Sequence, residues 1–248
     1  VFTGADVGRV VSGGRAVQEE YVMAGVLNFK RLCVTFENEI AALFSDFQSG
    51  ISAREDSRAF GAMIEKRITE NWENICGNLN AEFIHLPGRR TIFDFACSFG
   101  ETLLGFDVKT KDLDSTRYSD GGVCAIGNLL KFLANDKGIF MIVEFGHTQS
   151  TDKHNGRDLE YIRIAPFHLL PENCYRIENL GTGQVRLNYT LNQVWEEIEW
   201  NRSLSRFYDM FTALAITHYE RVSRDAQKRI KSLQDFKANG YASFKFSR

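Results

Sequence analysis

Two acids and an ammonium interrupt one apolar stretch of this chain. In Phe93–Lys111, FDFACSFGETLLGFDVKTK, the residues Asp94, Asp107 and Lys109 stand among aromatic and aliphatic side chains. A lone buried charge is costly and tends to neutralise itself, so their spacing matters. Gly100 and Glu101 read as the two-residue loop of a hairpin, and Gly at the first central position favours a type II′ turn. That loop sets Asp94 opposite Asp107, with Cβ atoms about 5 Å apart. Side chains alternate along a strand, so Asp107 and Lys109 share one face while Phe106 and Val108 take the other. By the same rule Asp94 points opposite to Phe93 and Phe95. Facing carboxylates repel across a ladder, but a divalent cation between them reverses the sign, because hard cations take carboxylate oxygens. Lys109 is then near enough to touch an anion drawn to that cation. The same three residues also fit a solvated sheet face on which Lys109 pairs with surface acids.

An element upstream brings a third acid. SAREDSRAFGAMIEKRITENWENICGN reads as a helix over about 56–76, ending near Gly77. Glu65 and Trp72 are seven residues apart and align to within about 20° around the axis. Ile64 and Ile68 flank the stripe, which turns Glu65 toward the apolar side. A capping or surface role for Glu65 is the alternative.

The remaining elements must hold this group in place. VLNFKRLCVTFENEIAALFSDF (26–47) reads as a helix, and VCAIGNLLKFLAND (123–136) as another. GIFMIVEFGHT has the β-branched and aromatic run of a buried strand, LEYIRIAPFHLL reads as a further strand, and YRIENLGTGQVRLNY as a hairpin turning through Gly181–Gly183. The region 192–239 is helix-rich with basic last turns, and 1–20 looks loosely ordered. Strands with helices before and after imply one α/β domain across 1–248, with a central mixed β-sheet flanked by helices and a core over about 56–170. Twenty phenylalanines suit thick packing layers.

Bulk properties narrow the classes. At 248 residues the chain can bury one substantial core. No apolar run approaches the ~20 residues of a membrane span, and the N-terminal stretch lacks a secretory pattern. The chain opens on Val1 rather than methionine, which leaves room for residues upstream. Five scattered cysteines without metal-type spacing read as reduced thiols in a cytoplasmic protein. A net charge of −2 announces no polyanion binder.

The pattern of a helix acid in GAMIEKRI, then FDF, then GFDVKTK resembles the PD-(D/E)xK nuclease superfamily, and within it the type II restriction endonucleases. The resemblance covers about 60–111, with Phe93 where the family motif has proline. It implies a restriction-endonuclease-like core and Mg²⁺-dependent hydrolysis of phosphodiester bonds in double-stranded DNA, leaving a 5′-phosphate and a 3′-hydroxyl. Asp94 and Asp107 would hold the ion with the Val108 carbonyl, Lys109 would orient water and stabilise developing charge, and Glu65 would tune the site. It further implies a homodimer, one site per strand of a palindrome.

Target reading would fall to polar segments after the core. The candidates are Lys111, Arg117, Ser119 and Asp120, then Lys153, Asn155 and Arg157, then Gln184, Arg186 and Asn188. Such side chains can read base edges, contact phosphates, or serve as ordinary loop residues. The basic stretch ERVSRDAQKRIKS reads as a solvated helix face, with backbone binding as the alternative. His147 and His168 read as structural. A repair or structure-specific nuclease on the same core, and a DNA-binding domain without catalysis, are the competing functions.

Overall fold

Ile139–Phe145 is apolar at every position but Glu144 and is buried on both sides, which suits an interior strand. It lies in a five-stranded sheet in the computed structural model, which describes residues 22–23, 26–45, 57–85, 91–115, 122–135, 138–149, 156–178 and 183–239. In chain order the elements are β1 (Val22–Met23), β2 (Val26–Leu27), α1 (Phe29–Leu43), α2 (Ser57–Asn78), β3 (Glu82–Phe83), β4 (Phe95–Phe99) and β5 (Thr102–Asp112). Then come β6 (Gly122–Ala125), α3 (Ile126–Asn135), β7 (Ile139–Gln149), β8 (Arg157–Pro166), β9 (Tyr175–Glu178), β10 (Gln184–Leu187), α4 (Leu191–Val194) and α5 (Leu204–Asn239).

The main sheet has the order β3-β4-β5-β7-β8. Only the β5–β7 pair is parallel, so the sheet is mixed. The β4–β5 hairpin has the register expected from its loop, with Phe99 paired to Thr102 and Phe95 to Phe106. Gly100 has φ 59°, and among the described residues Asn80 alone is a non-glycine with positive φ. Glu101 therefore keeps negative φ, which selects type II′ over type I′.

Two apolar layers cover the sheet. On one face α1 and α2 pack Phe36, Ile64, Ile68 and Trp72 against Phe95, Phe106, Val108 and Val143. Trp72 stands 5.0 Å from Phe106 and 5.4 Å from Phe95, ring to ring. Its Nε1–H donates to the Ala96 carbonyl at 2.8 Å, tying α2 to β4. On the other face α3, α5 and a small sheet pack Leu129, Phe207, Phe211 and Val185 against Phe140 and Ile142.

Several boundaries differ from the sequence reading. The first helix begins at Phe29, capped by the Asn28 side chain, because Val26–Leu27 pairs with Val22–Met23 instead. The second runs through Gly77. It stops at Asn80 (φ 52°), where Ala81 N–H reaches Cys76 O at 2.9 Å and Asn80 N–H reaches Gly77 O at 3.1 Å, a Schellman ending. Gly122–Ala125, of which Val123–Ala125 was expected as helix, is a strand that pairs with β10, so β6-β10-β9 forms a separate three-stranded sheet. The hairpin of β9 and β10 is present, and residues 1–20 lie outside the described residues. No described helix is long and apolar enough to cross a membrane. All five cysteines are free thiols.

Candidate active site

The site forms where β4 stops short. Phe95 is its first residue, yet Asp94 N–H still donates to Phe106 O at 2.7 Å. The Asp94 side chain then replaces the missing ladder, its Oδ2 accepting the Val108 N–H at 2.8 Å. In an extended strand the N–H and C=O of one residue face the same edge, so the Val108 carbonyl also looks past the end of β4, beside Asp94. Asp94 is exposed and gives the site its mouth.

Asp107 lies beneath, only 6% exposed. Lys109 Nζ donates to its Oδ1 at 2.8 Å and stands 2.7 Å from Oδ2. The contact to Oδ2 is an ion pair without hydrogen-bond geometry, which leaves a buried carboxylate oxygen with no hydrogen-bond partner among the described residues. Burial pushes the Asp107 pKa up to about 7; the Lys109 charge opposes this, and the charges of Asp94 and Glu65 add to it.

Glu65 arrives from the opposite layer. Its neighbours Ile64, Ile68 and Trp72 are buried under the β4–β5 face, while Glu65 itself is half-buried. Burial and then the Asp94 charge raise its pKa, and Lys109 lowers it. An acid on the far side of the sheet senses Asp94 and Lys109 because β4 no longer stands between them.

One facing differs from expectation. Phe95 packs with the α1/α2 layer, whereas Phe93 packs in the other layer, 5.2 Å from Phe132. Strict alternation ends at Phe95 because residues 92–94 bend. The Phe93 ring lies over Gly105 so closely that a Cβ there would meet it at 2.5 Å. Gly105 shares a face with Asp107, so the Phe93 ring lies over the same face of β5 as that carboxylate.

Two neighbours escape the motif. Glu144 is paired in register with Lys109 on the parallel strand β7, which puts both on one face, and it is 3% exposed. It accepts from Tyr161 Oη–H at 2.9 Å and Leu191 N–H at 2.8 Å. Burial pushes its pKa up to about 7, against those hydrogen bonds and the Lys111 charge. Cys124 is pushed up to about 12 by burial and then by the Asp107 charge. A lone acid inside GIFMIVEFGHT was the signal for Glu144; Cys124 carried none.

The donor set suits a hard divalent cation. A buried Asp107 oxygen without a hydrogen bond, an exposed Asp94 carboxylate and an edge carbonyl on Val108 are oxygen ligands of the kind Mg²⁺ takes together with water. Among the described residues no three His, Cys, Asp or Glu side chains form a metal cage.

The candidate DNA-reading residues are dispersed. Lys111 continues the Asp107–Lys109 face of β5. Arg157 is 10% exposed and engaged internally, with Asp112 Oδ2 at 3.2 Å and His147 Nδ1 at 2.9 Å. Arg186 meets Glu178 at 2.7 Å, Gln184 folds over Gly122, and Asn188 donates to Asn173 O at 2.8 Å. Arg117, Ser119, Asp120, Lys153 and Asn155 lie outside the described residues. His147 and His168 are buried, and burial pushes the pKa of each down to about 4. No protein-family model matches the chain, and no curated protein matches it in sequence.

Proposed function

We propose that the protein is a Mg²⁺-dependent, sequence-specific double-strand DNA endonuclease of the PD-(D/E)xK type, acting in the cytoplasm as a homodimer. The observation that carries this reading is the Asp107 carboxylate, buried and ion-paired to Lys109, with one oxygen lacking a hydrogen bond, at the open end of β4 beside Asp94. Asp94, Asp107 and the Val108 carbonyl would hold the ion, which when bound polarises a phosphate and lowers the pKa of water.

Lys109 carries three donors. One is committed to Asp107, leaving others for a phosphate oxygen and for the attacking water. Its charge offsets the negative charge that grows on phosphorus. Glu65, with its pKa raised, is suited to accept or relay a proton at the mouth. Water adds across the P–O3′ bond, the 3′ oxygen leaves with a proton, and the 5′ end keeps the phosphate. Twofold pairing of subunits would present one such site to each strand.

Plasmid DNA incubated with Mg²⁺ tests the reading. Discrete bands that vanish with EDTA and with Asp107→Ala are expected. Nicks or cuts only at unusual structures would transfer the site to a repair or structure-specific nuclease. DNA binding that Asp107→Ala leaves unchanged, with no cutting in Mg²⁺ or Mn²⁺, would overturn it.

A further inference from the structure

A second concave site shares no residue with the carboxylate cluster. Between β9 and α5 is a cavity of about 280 Å³. Tyr175, Ile177 and Leu214 give it apolar surface, and Arg176, Arg221 and Arg224 also line it. The helical residues fall at 214, 217, 218, 221 and 224, the three- and four-residue spacing of a single helix face.

The charges there are not balanced internally. Arg176 Nη2 meets Glu178 Oε1 at 2.9 Å, but the other oxygen of Glu178 is taken by Arg186 at 2.7 Å. Arg221 and Arg224 pair with no carboxylate among the described residues. One acid thus answers several cations.

His218 belongs to the same lining. It lines the cavity, is 5% exposed, and has Arg221 Nη2 at 3.3 Å from its Nδ1. A guanidinium can only donate, so Nδ1 accepts and the ring proton resides on Nε2. Among the described residues that buried Nε2–H has no partner, and neither has the buried Arg176 Nε–H. Burial and the Arg221 charge lower the His218 pKa, which favours this neutral tautomer. Buried donors left unmade are costly, and two of them belong to side chains lining one cavity.

We infer that this cavity binds a phosphate monoester carried on a small apolar body. A monoester brings about −1.5 to −2 charges and several acceptor oxygens, which matches three lining arginines better than a single carboxylate does. The apolar surface of Tyr175, Ile177 and Leu214 takes the body. The volume lies near the lower end of small-molecule sites, roughly 300–1,000 Å³, the scale of a mononucleotide. A free nucleoside monophosphate and the 5′-phosphorylated end of a nucleic acid strand share this chemistry.

Calorimetric titration of the full chain in EDTA tests it, with dAMP, inorganic phosphate, deoxyadenosine, and a short single-stranded DNA with and without a 5′-phosphate. One saturable dAMP site is expected, with phosphate and deoxyadenosine each at least about tenfold weaker. Arg221→Ala/Arg224→Ala, both positions exposed, should weaken dAMP at least about tenfold, the scale of a lost charge-assisted hydrogen bond. Lys228→Ala/Lys231→Ala, further along the helix, should leave it unchanged. Equal binding of the phosphorylated strand identifies a strand end as the source, and binding of dAMP alone identifies the free nucleotide. No dAMP binding at millimolar concentration, or binding indifferent to the double arginine change, overturns the inference. These readouts do not depend on DNA cleavage, so either reading can fail without the other.

Discussion

Asp94 Oδ2 accepts the backbone N–H of Val108 at 2.8 Å, so one acid of the site is fastened to the strand that carries the other. The bond substitutes for a ladder hydrogen bond that β4 no longer makes, and it holds the Asp94 carboxylate against the Asp107–Lys109 face. Charge and acceptor are thereby separable. Asp94→Asn keeps an acceptor oxygen, whereas Asp94→Ala loses it. Both variants are expected to lose DNA cleavage by about 10²-fold or more. Only the alanine variant should also lose about 0.5–1.5 kcal/mol in urea unfolding.

On the proposed function, Asp107 should tie metal binding to stability. Mg²⁺ should raise the melting temperature of the native protein, by the equivalent of about 2.7 kcal/mol at a hundredfold excess over Kd. Asp107→Asn should abolish that shift. Without metal at pH 8 the variant should melt no lower than the native protein, because an amide replaces a buried carboxylate that is charged above about pH 7. Differential scanning calorimetry with Mg²⁺ and with EDTA reads both effects.

Gly105 and Phe93 form a contact with no spare room, since a Cβ on Gly105 would meet the ring at 2.5 Å. Gly105→Ala should cost about 1–3 kcal/mol through overpacking and should displace the segment that carries Asp94. Adding Phe93→Ala removes the obstacle. The double variant is expected to be more stable than the sum of the single effects, and a double-mutant cycle in urea measures that coupling.

Glu144 has a folded pKa of about 7, above its ordinary 4.5, so its neutral form favours the fold. Its contribution is full below about pH 4.5 and is lost as pH rises to about 7. Glu144→Gln keeps an oxygen for Tyr161 Oη–H and Leu191 N–H but does not titrate. The stability of the variant minus that of the native protein should therefore climb across that window by up to about 1.4 kcal/mol per pH unit, one proton's worth. His147 and His168 titrate with the opposite sign over a similar range, and they cancel in the difference. Urea unfolding from pH 4 to pH 8 supplies it.

The hairpin was legible because its causes are local. A glycine at the turn, a two-residue loop and period-2 alternation set which residues face each other, and Phe95 pairs with Phe106 accordingly. Glu65 was legible as an inward-leaning acid because helix geometry relates it to Ile64, Ile68 and Trp72. The helix read from Val123 failed at its first turn. Those residues pair with β10 across a long stretch of chain, and local periodicity carries no record of a distant partner.

Sequence alone therefore determined that two acids and a lysine would share one end of a hairpin in an α/β fold, since turn chemistry and side-chain alternation act between near neighbours. Tertiary structure decided the rest. Packing placed Phe93 over Gly105, brought Glu65 within electrostatic reach of Asp94 from the other layer, and set Glu144 beside Lys109. Helix docking against β9 gathered Arg176, His218, Arg221 and Arg224 around one cavity. Burial and proximity through space set their energies, and neither can be read from order along the chain.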